Sequence, residues 1–188
     1  MEDWSHTHIK NNLRRCTRCT LPETHETILF DEEGICNICR GHEIKNKIDW
    51  NKRREDLHQL ADEYRGKGDY DCMVPFSGGK DSAYILWYVV KKLNLKPLVV
   101  SFDHGFYRPI LKENNERVQR KLGVDFLKFR SDWKLVRRLM LESLKRKGDF
   151  DWHAHVGTFA YPMQMAVKYK IPLIFWGEPS SEYTAYYG

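Results

Sequence analysis

The chain has 188 residues, 41% of them hydrophobic and 13% aromatic, enough for one medium domain with its own core plus a small module, and nothing in it reads as low-complexity or disordered. Its formal charge of +5, from 31 Lys and Arg against 26 acids, is modest for a nucleic-acid binder and comfortable for a protein that handles phosphates. No apolar stretch approaches a membrane span, and residues 1–10 are polar without a signal-peptide core, so the expectation is a cytoplasmic protein with neither a membrane nor a nucleic acid as partner.

Four of the five cysteines fall as Cys16-x-x-Cys19 and Cys36-x-x-Cys39, two knuckles sixteen residues apart, the spacing of a four-thiolate zinc site. Between them Ile28, Leu29 and Phe30 lead into the turn formers Asp31, Glu32, Glu33 and Gly34, which predicts a short hairpin and hence a zinc ribbon. An iron–sulfur cluster is the alternative for such ligands, whereas disulfides belong to oxidising compartments. Four protein ligands leave an ion no open position, so its expected work is to fold a segment too short for a core of its own. Arg14, Arg15, Arg18 and Arg40 flank the pairs, either as an RNA-contacting patch or as a solvated rim, and His6, His8, His25 and His42 are spare donors.

Apolar side chains at Ile48, Trp50, Leu57, Leu60, Ala61 and Tyr64, interleaved with charges, predict an amphipathic helix over 48–64, closed by the turn Gly66-Lys67-Gly68-Asp69. The expected division is therefore a zinc ribbon over 1–45, a linking helix over 46–69 and a main domain over 70–188. In that domain strands and helices alternate: strand 70–76, helix 82–93, strand 97–102, helix 111–122, strand 125–129, helix 133–147, helix 158–169 and strand 172–176. The runs Leu98-Val99-Val100 and Leu173-Ile174-Phe175 are continuously apolar, as parallel strands covered on both faces require. The pattern predicts an α/β protein with a doubly wound parallel sheet, whose ligands bind beyond the carboxyl ends of the strands, where strand order reverses.

At the end of the first strand stands Ser77-Gly78-Gly79-Lys80-Asp81-Ser82. Two glycines let the backbone turn sharply and bring its N–H groups close to phosphate oxygens, with a helix N-terminus aimed at the same place. Ser77 and Ser82 add hydroxyl donors, Lys80 adds a positive charge, and Asp81 is suited to cap the helix or to help hold magnesium. A Walker loop needs four residues between its first glycine and its Gly-Lys pair, and that spacing is absent. The hexapeptide instead resembles the loop of the PP-loop ATP pyrophosphatases, which implies cleavage of ATP between its α and β phosphates.

Other strand ends offer further candidates. Asp103, in Phe102-Asp103-His104-Gly105, could meet a ribose hydroxyl, a base amino group or magnesium, and Gly177-Glu178 follows the last strand; an ordinary turn is the alternative for each. Arg108 could reach a phosphate or a substrate carboxylate. His153 and His155 precede the predicted 158–169 helix and could line the mouth of a site, although no third metal ligand accompanies them. Lys134, Arg137, Arg138, Lys145, Arg146 and Lys147 read as the solvated face of one helix, and Cys72, inside the first strand, as a buried inert thiol.

The four-cysteine module, the charged helix, the Gly-Lys-Gly-Asp approach to the first strand, the loop and the late Gly-Glu occur in one order that resembles the N-acetyl sugar amidotransferase family of surface-polysaccharide, O-antigen and nonulosonic acid biosynthesis. The resemblance implies that ATP adenylates the acetamido oxygen of a free or nucleotide-linked sugar, that ammonia attacks the carbon, and that AMP leaves an acetamidino group. It implies ATP, Mg2+ and Zn2+ as cofactors. Ser77, Lys80, Asp81 and Ser82 would be catalytic; ATP would be bound by these with Gly78, Gly79, Asp103, Gly177 and Glu178, and zinc by Cys16, Cys19, Cys36 and Cys39. Ammonia is implied to come from a separate glutaminase subunit with a cyclase-like barrel subunit. That family continues past the equivalent of Gly188 with another strand and a C-terminal part, so the sheet is expected to be incomplete here. A tRNA-modifying PP-loop enzyme, of thiolation or lysidine type, and a non-catalytic scaffold are the rival readings.

Overall fold

The computed structural model describes residues 13–24 and 27–177. These divide into two compact units, one running to Arg53 and one starting at Arg54.

In the first unit an antiparallel bridge joins Phe30 to Cys36 across the turn, with the Asp31 and Asn37 N–H groups donating to Ile35 O (3.0 Å) and Leu29 O (2.8 Å). The predicted hairpin is present. In the second cysteine pair Cys36 also caps helix α1 (Asn37–Glu43), its sulfur accepting from Cys39 N–H as the Cys16 sulfur accepts from Cys19 N–H. This cap lets the helix begin inside the cysteine cluster. A 3-10 turn, Ile44–Lys47, follows.

The predicted 48–64 helix is α2, Trp50–Tyr64. Its stripe is only partly used: Ala61 is buried and Leu57 packs on the core, whereas Trp50 and Leu60 are exposed.

In the second unit three strands, β1 (Cys72–Pro75), β2 (Pro97–Asp103) and β3 (Asp125–Arg130), pair in parallel in the order β1-β2-β3. Asp71 sets where β1 starts, its carboxylate accepting from the N–H groups of Gly66 (2.6 Å) and Lys96 (2.7 Å). The predicted strand over 172–176 is a single parallel bridge, Ile174 to Met73, on the other side of β1, with Met73 N–H donating to Leu173 O and Phe175 N–H to Met73 O, both at 2.9 Å. Pro172 has no N–H to extend that ladder. Strand order therefore reverses between β1 and residues 171–176.

Helices cover both faces. α3 (Lys80–Lys91), α2 and α4 (Pro109–Leu122) enclose Val74, Phe76, Leu86, Val89 and Val99, while α6 (Trp152–Lys168) closes over Met73, Leu98, Val100, Ala166 and Ile171. α5 (Trp133–Lys147), capped by Asp132, matches its predicted span. α6 starts six residues before the predicted 158, because Ala154 and His153 are buried and packing overrides the weak helix propensity of its first turns. His153 and His155 thus lie inside a helix. Among the described residues no helix is long and apolar enough to cross a membrane.

Candidate functional site

Residues 77–82 span the point where β1 hands over to α3, beside the reversal of strand order. Gly79 is the N-cap of α3, extended at φ −71° and ψ 169°, and no side chain caps it. The positive end of the α3 dipole is therefore aimed at this loop. Asp81, expected as a possible cap, lies within the first turn instead, its carboxylate 2.8 Å from Lys80 Nζ, with both side chains largely exposed. Ser77 and Ser82 come together, hydroxyl to hydroxyl at 3.1 Å; Gly79 N–H donates to Ser77 Oγ (3.3 Å) and Ser82 Oγ donates to Gly79 O (3.2 Å).

Two close approaches shape this loop. Gly78 has φ +85°, and a Cβ there would lie 2.3 Å from Asn115 Oδ1 on α4. Gly177 sits on the first turn of α3, where a Cβ would come within 3.3 Å of Ser82 N. The loop and the end of the 171–176 segment are thereby brought together. Glu178 lies outside the described residues, as do His6, His8 and His25.

Asp103 is fully buried. Oδ1 accepts from Gly105 N–H (2.9 Å), and Oδ2 takes Arg130 and, at 3.0 Å, Lys128 of β3. Burial works against the charge, but these donors outweigh it and hold the carboxyl near a pKa of about 2. The carboxylate faces its own neighbours, and the half-exposed cations it holds stand at the carboxyl edge. Lys128, Arg130 and Asn115 had no local signal in the sequence; the alternation of two cations in β3 opposite Ser101 and Asp103 is the nearest to one. Arg108 is the extended N-cap residue of α4.

The two histidines of α6 diverge. His155 is exposed, 3.7 Å from Asp149. His153 is buried with both ring nitrogens unpaired, as is Asp151 Oδ1. Leaving such groups unpaired costs about 1–3 kcal/mol each.

In the first unit the four cysteine sulfurs lie within 4.8 Å of one another, with Cys16 to Cys39 at 3.9 Å and Cys19 to Cys36 at 3.6 Å. Disulfide sulfurs would be about 2.0 Å apart, whereas tetrahedral zinc with Zn–S bonds of about 2.3 Å separates its sulfurs by about 3.8 Å. The gap suits one ion and is too small for a cluster. Burial opposes a Cys16 thiolate, yet the N–H groups of Cys19, Cys36 and Arg18 outweigh it and lower the thiol to about 6; burial and the neighbouring sulfurs push Cys39 up to about 12. Four thiols this close need a cation to ionise together. The donor set fits zinc. The flanking arginines are engaged locally: Arg40 with Asp31, Glu33 and Glu43, Arg18 with Glu43, Arg14 over Phe30 and Arg15 with Thr20 O.

A solved NH3-dependent NAD synthetase from Campylobacter jejuni subsp. jejuni NCTC 11168, in complex with the nitrate ion, superposes with a TM-score of 0.53 at 15% identity, over 75% of this chain and 62% of that one. This chain shares that α/β fold. An uncharacterized protein of Methanocaldococcus jannaschii is 26% identical over 121 residues, 63% of this chain, which spans 43% of that relative's length. No family model matches the chain. Within this parallel α/β fold the hexapeptide, Gly177 and the cations on β3 share the carboxyl edge of the sheet, where such folds place ligands.

Proposed function

We propose that the protein is an ATP-dependent N-acetyl sugar amidotransferase, adenylating the acetamido oxygen of a sugar and replacing it with ammonia to give an acetamidino group, AMP and pyrophosphate. The observation that carries this reading is the loop: the N-terminus of α3, with no side-chain cap from Gly79, and the paired Ser77 and Ser82 hydroxyls at the reversal of strand order. Such donors suit a departing pyrophosphate better than a reacting carbon.

An amide is a poor electrophile with a poor leaving oxygen, and joining that oxygen to AMP removes the barrier without a protein nucleophile. Ser77, Gly78, Gly79, Lys80 and Ser82 would bind the phosphates. Asp81 offers the carboxylate a hard cation requires, and magnesium there would neutralise charge on pyrophosphate. Asp103 acts from inside the sheet by holding Arg130 and Lys128 at its edge. Zinc would be held by Cys16, Cys19, Cys36 and Cys39 and fold the first unit. Ammonia would come from a glutaminase subunit with a cyclase-like barrel partner, which would place the protein in surface-polysaccharide or nonulosonic acid biosynthesis in the cytoplasm.

Cys72 speaks against sulfur transfer to tRNA: it is fully buried, and burial pushes its thiol up to about 12. The test is an acceptor panel with Mg-ATP and ammonia, comparing acetamido sugars with tRNA. AMP release that depends on an acetamido sugar is expected; release driven by tRNA alone would overturn the reading.

A further inference from the structure

We propose that His153 and Asp151 bind an uncharged carboxamide, which, resting on the function proposed above, is the acetamido group of the acceptor sugar.

Residues 171–176 run parallel to β1, so the helix that precedes them, α6, starts at the carboxyl edge of the sheet, the edge that carries the loop. α6 lies on the Phe102 face: a Cβ on Gly157 would be 2.3 Å from the Phe102 ring, and Tyr161 packs 6.5 Å from Phe102 and 5.2 Å from Phe129. His153 is one turn before Gly157 and so stands past Phe102, toward the end of β2. His104 leaves that strand on the same face. Its Nδ1 accepts from Phe106 N–H (3.2 Å), and its ring is held between Phe106 and Tyr107.

Against this ordered surround, His153 is 6% exposed and has no hydrogen-bond partner at either ring nitrogen. Of the four buried side-chain polar atoms left unpaired among the described residues, three belong to His153 and Asp151. Buried polar groups are paired as a rule, so two such residues at one helix start mark a place where a ligand supplies the partners. That ligand is not a metal ion, since the four cysteines are the only metal-competent group among the described residues. Nor is it a phosphate, which would face the Asp151 carboxylate. A neutral imidazole offers a donor at one nitrogen and an acceptor at the other, and a carboxylate only accepts. A secondary carboxamide has the matching set, a carbonyl that accepts from the ring N–H and an N–H that donates to Asp151.

The experiment uses the full chain with N-acetylglucosamine as probe and glucose as control, following the ring nitrogens of His153 by NMR, with Mg-ATP titrated separately by calorimetry. N-acetylglucosamine should shift the His153 nitrogens saturably and glucose should not. His153→Phe should weaken N-acetylglucosamine binding at least tenfold, His153→Asn, which keeps a donor and an acceptor, should lose less, and both should bind Mg-ATP within twofold of the parent. A ring unmoved by N-acetylglucosamine, equal shifts with glucose, or undiminished binding in folded His153→Phe would overturn the proposal. If Mg-ATP fails to bind while the amide still shifts His153, the ATP reading falls and this site stands; Mg-ATP binding with an unmoved ring gives the reverse.

Discussion

Gly78 adopts a φ of +85°, which L side chains rarely reach, and it does so against Asn115. The Asn115 amide is the end of a flexible side chain and can swing aside, but the backbone strain stays. Gly78→Ala should therefore cost about 1–3 kcal/mol in urea denaturation and cut ATP affinity, and Asn115→Ala in the same chain should restore only part of both. Asp103 gives a pH signature. Its folded pKa of about 2 lies below the ordinary value of 3.8, so the stability it contributes is complete above about pH 4 and disappears as the pH falls through about 2. Asp103→Asn should be destabilised by about 2 kcal/mol near neutrality, with the gap to the parent closing between pH 4 and 2. Because Arg130 and Lys128 are half-exposed, they can return to water, which keeps the loss from being larger. A constant gap across that range would show that the carboxylate is not what stabilises this edge.

Among the elements, the loop and the cysteine pairs were legible because their chemistry is contiguous in the chain: six consecutive residues in one case, Cys-x-x-Cys turns in the other. Helix α5 was legible for a similar reason, with Asp132 and Gly148 at its two ends. The start of α6 was not, because Trp152, His153 and Val156 have weak helix propensity and the helix is held there by its close approach to β2. Gly157 is the contact that permits it, since any larger residue meets the Phe102 ring. Gly157→Ala should destabilise the second unit by about 1–3 kcal/mol through overpacking, despite the better helix propensity of alanine; a gain in denaturation midpoint would contradict this packing. For the first unit, metal analysis should return about one zinc per chain, and chelation should remove hydrogen-exchange protection at Cys36 and Asn37. Protection that survives removal of the metal would mean that the hairpin and α1 fold without it.

Across the whole chain, alternation of strands and helices foretold the parallel sheet, yet it could not show which strands are neighbours. The pairing of Asp103 with Arg130, 27 residues away, depends on the register of β2 with β3. The approach of Gly177 to Ser82 depends on the crossover that returns residues 171–176 to β1. These long-range placements assemble the carboxyl edge, and pattern in a short window does not contain them. On the proposed function, this edge joins AMP to an amide oxygen. The measurement that tests it is the fate of that oxygen: an acetamido sugar labelled with 18O in its carbonyl, turned over by the full-length protein with Mg-ATP and ammonia, and the products read by mass spectrometry. AMP carrying the label in its phosphate is expected, together with unlabelled pyrophosphate; ADP and phosphate as products, or AMP without the label, would rule out adenylation of the amide.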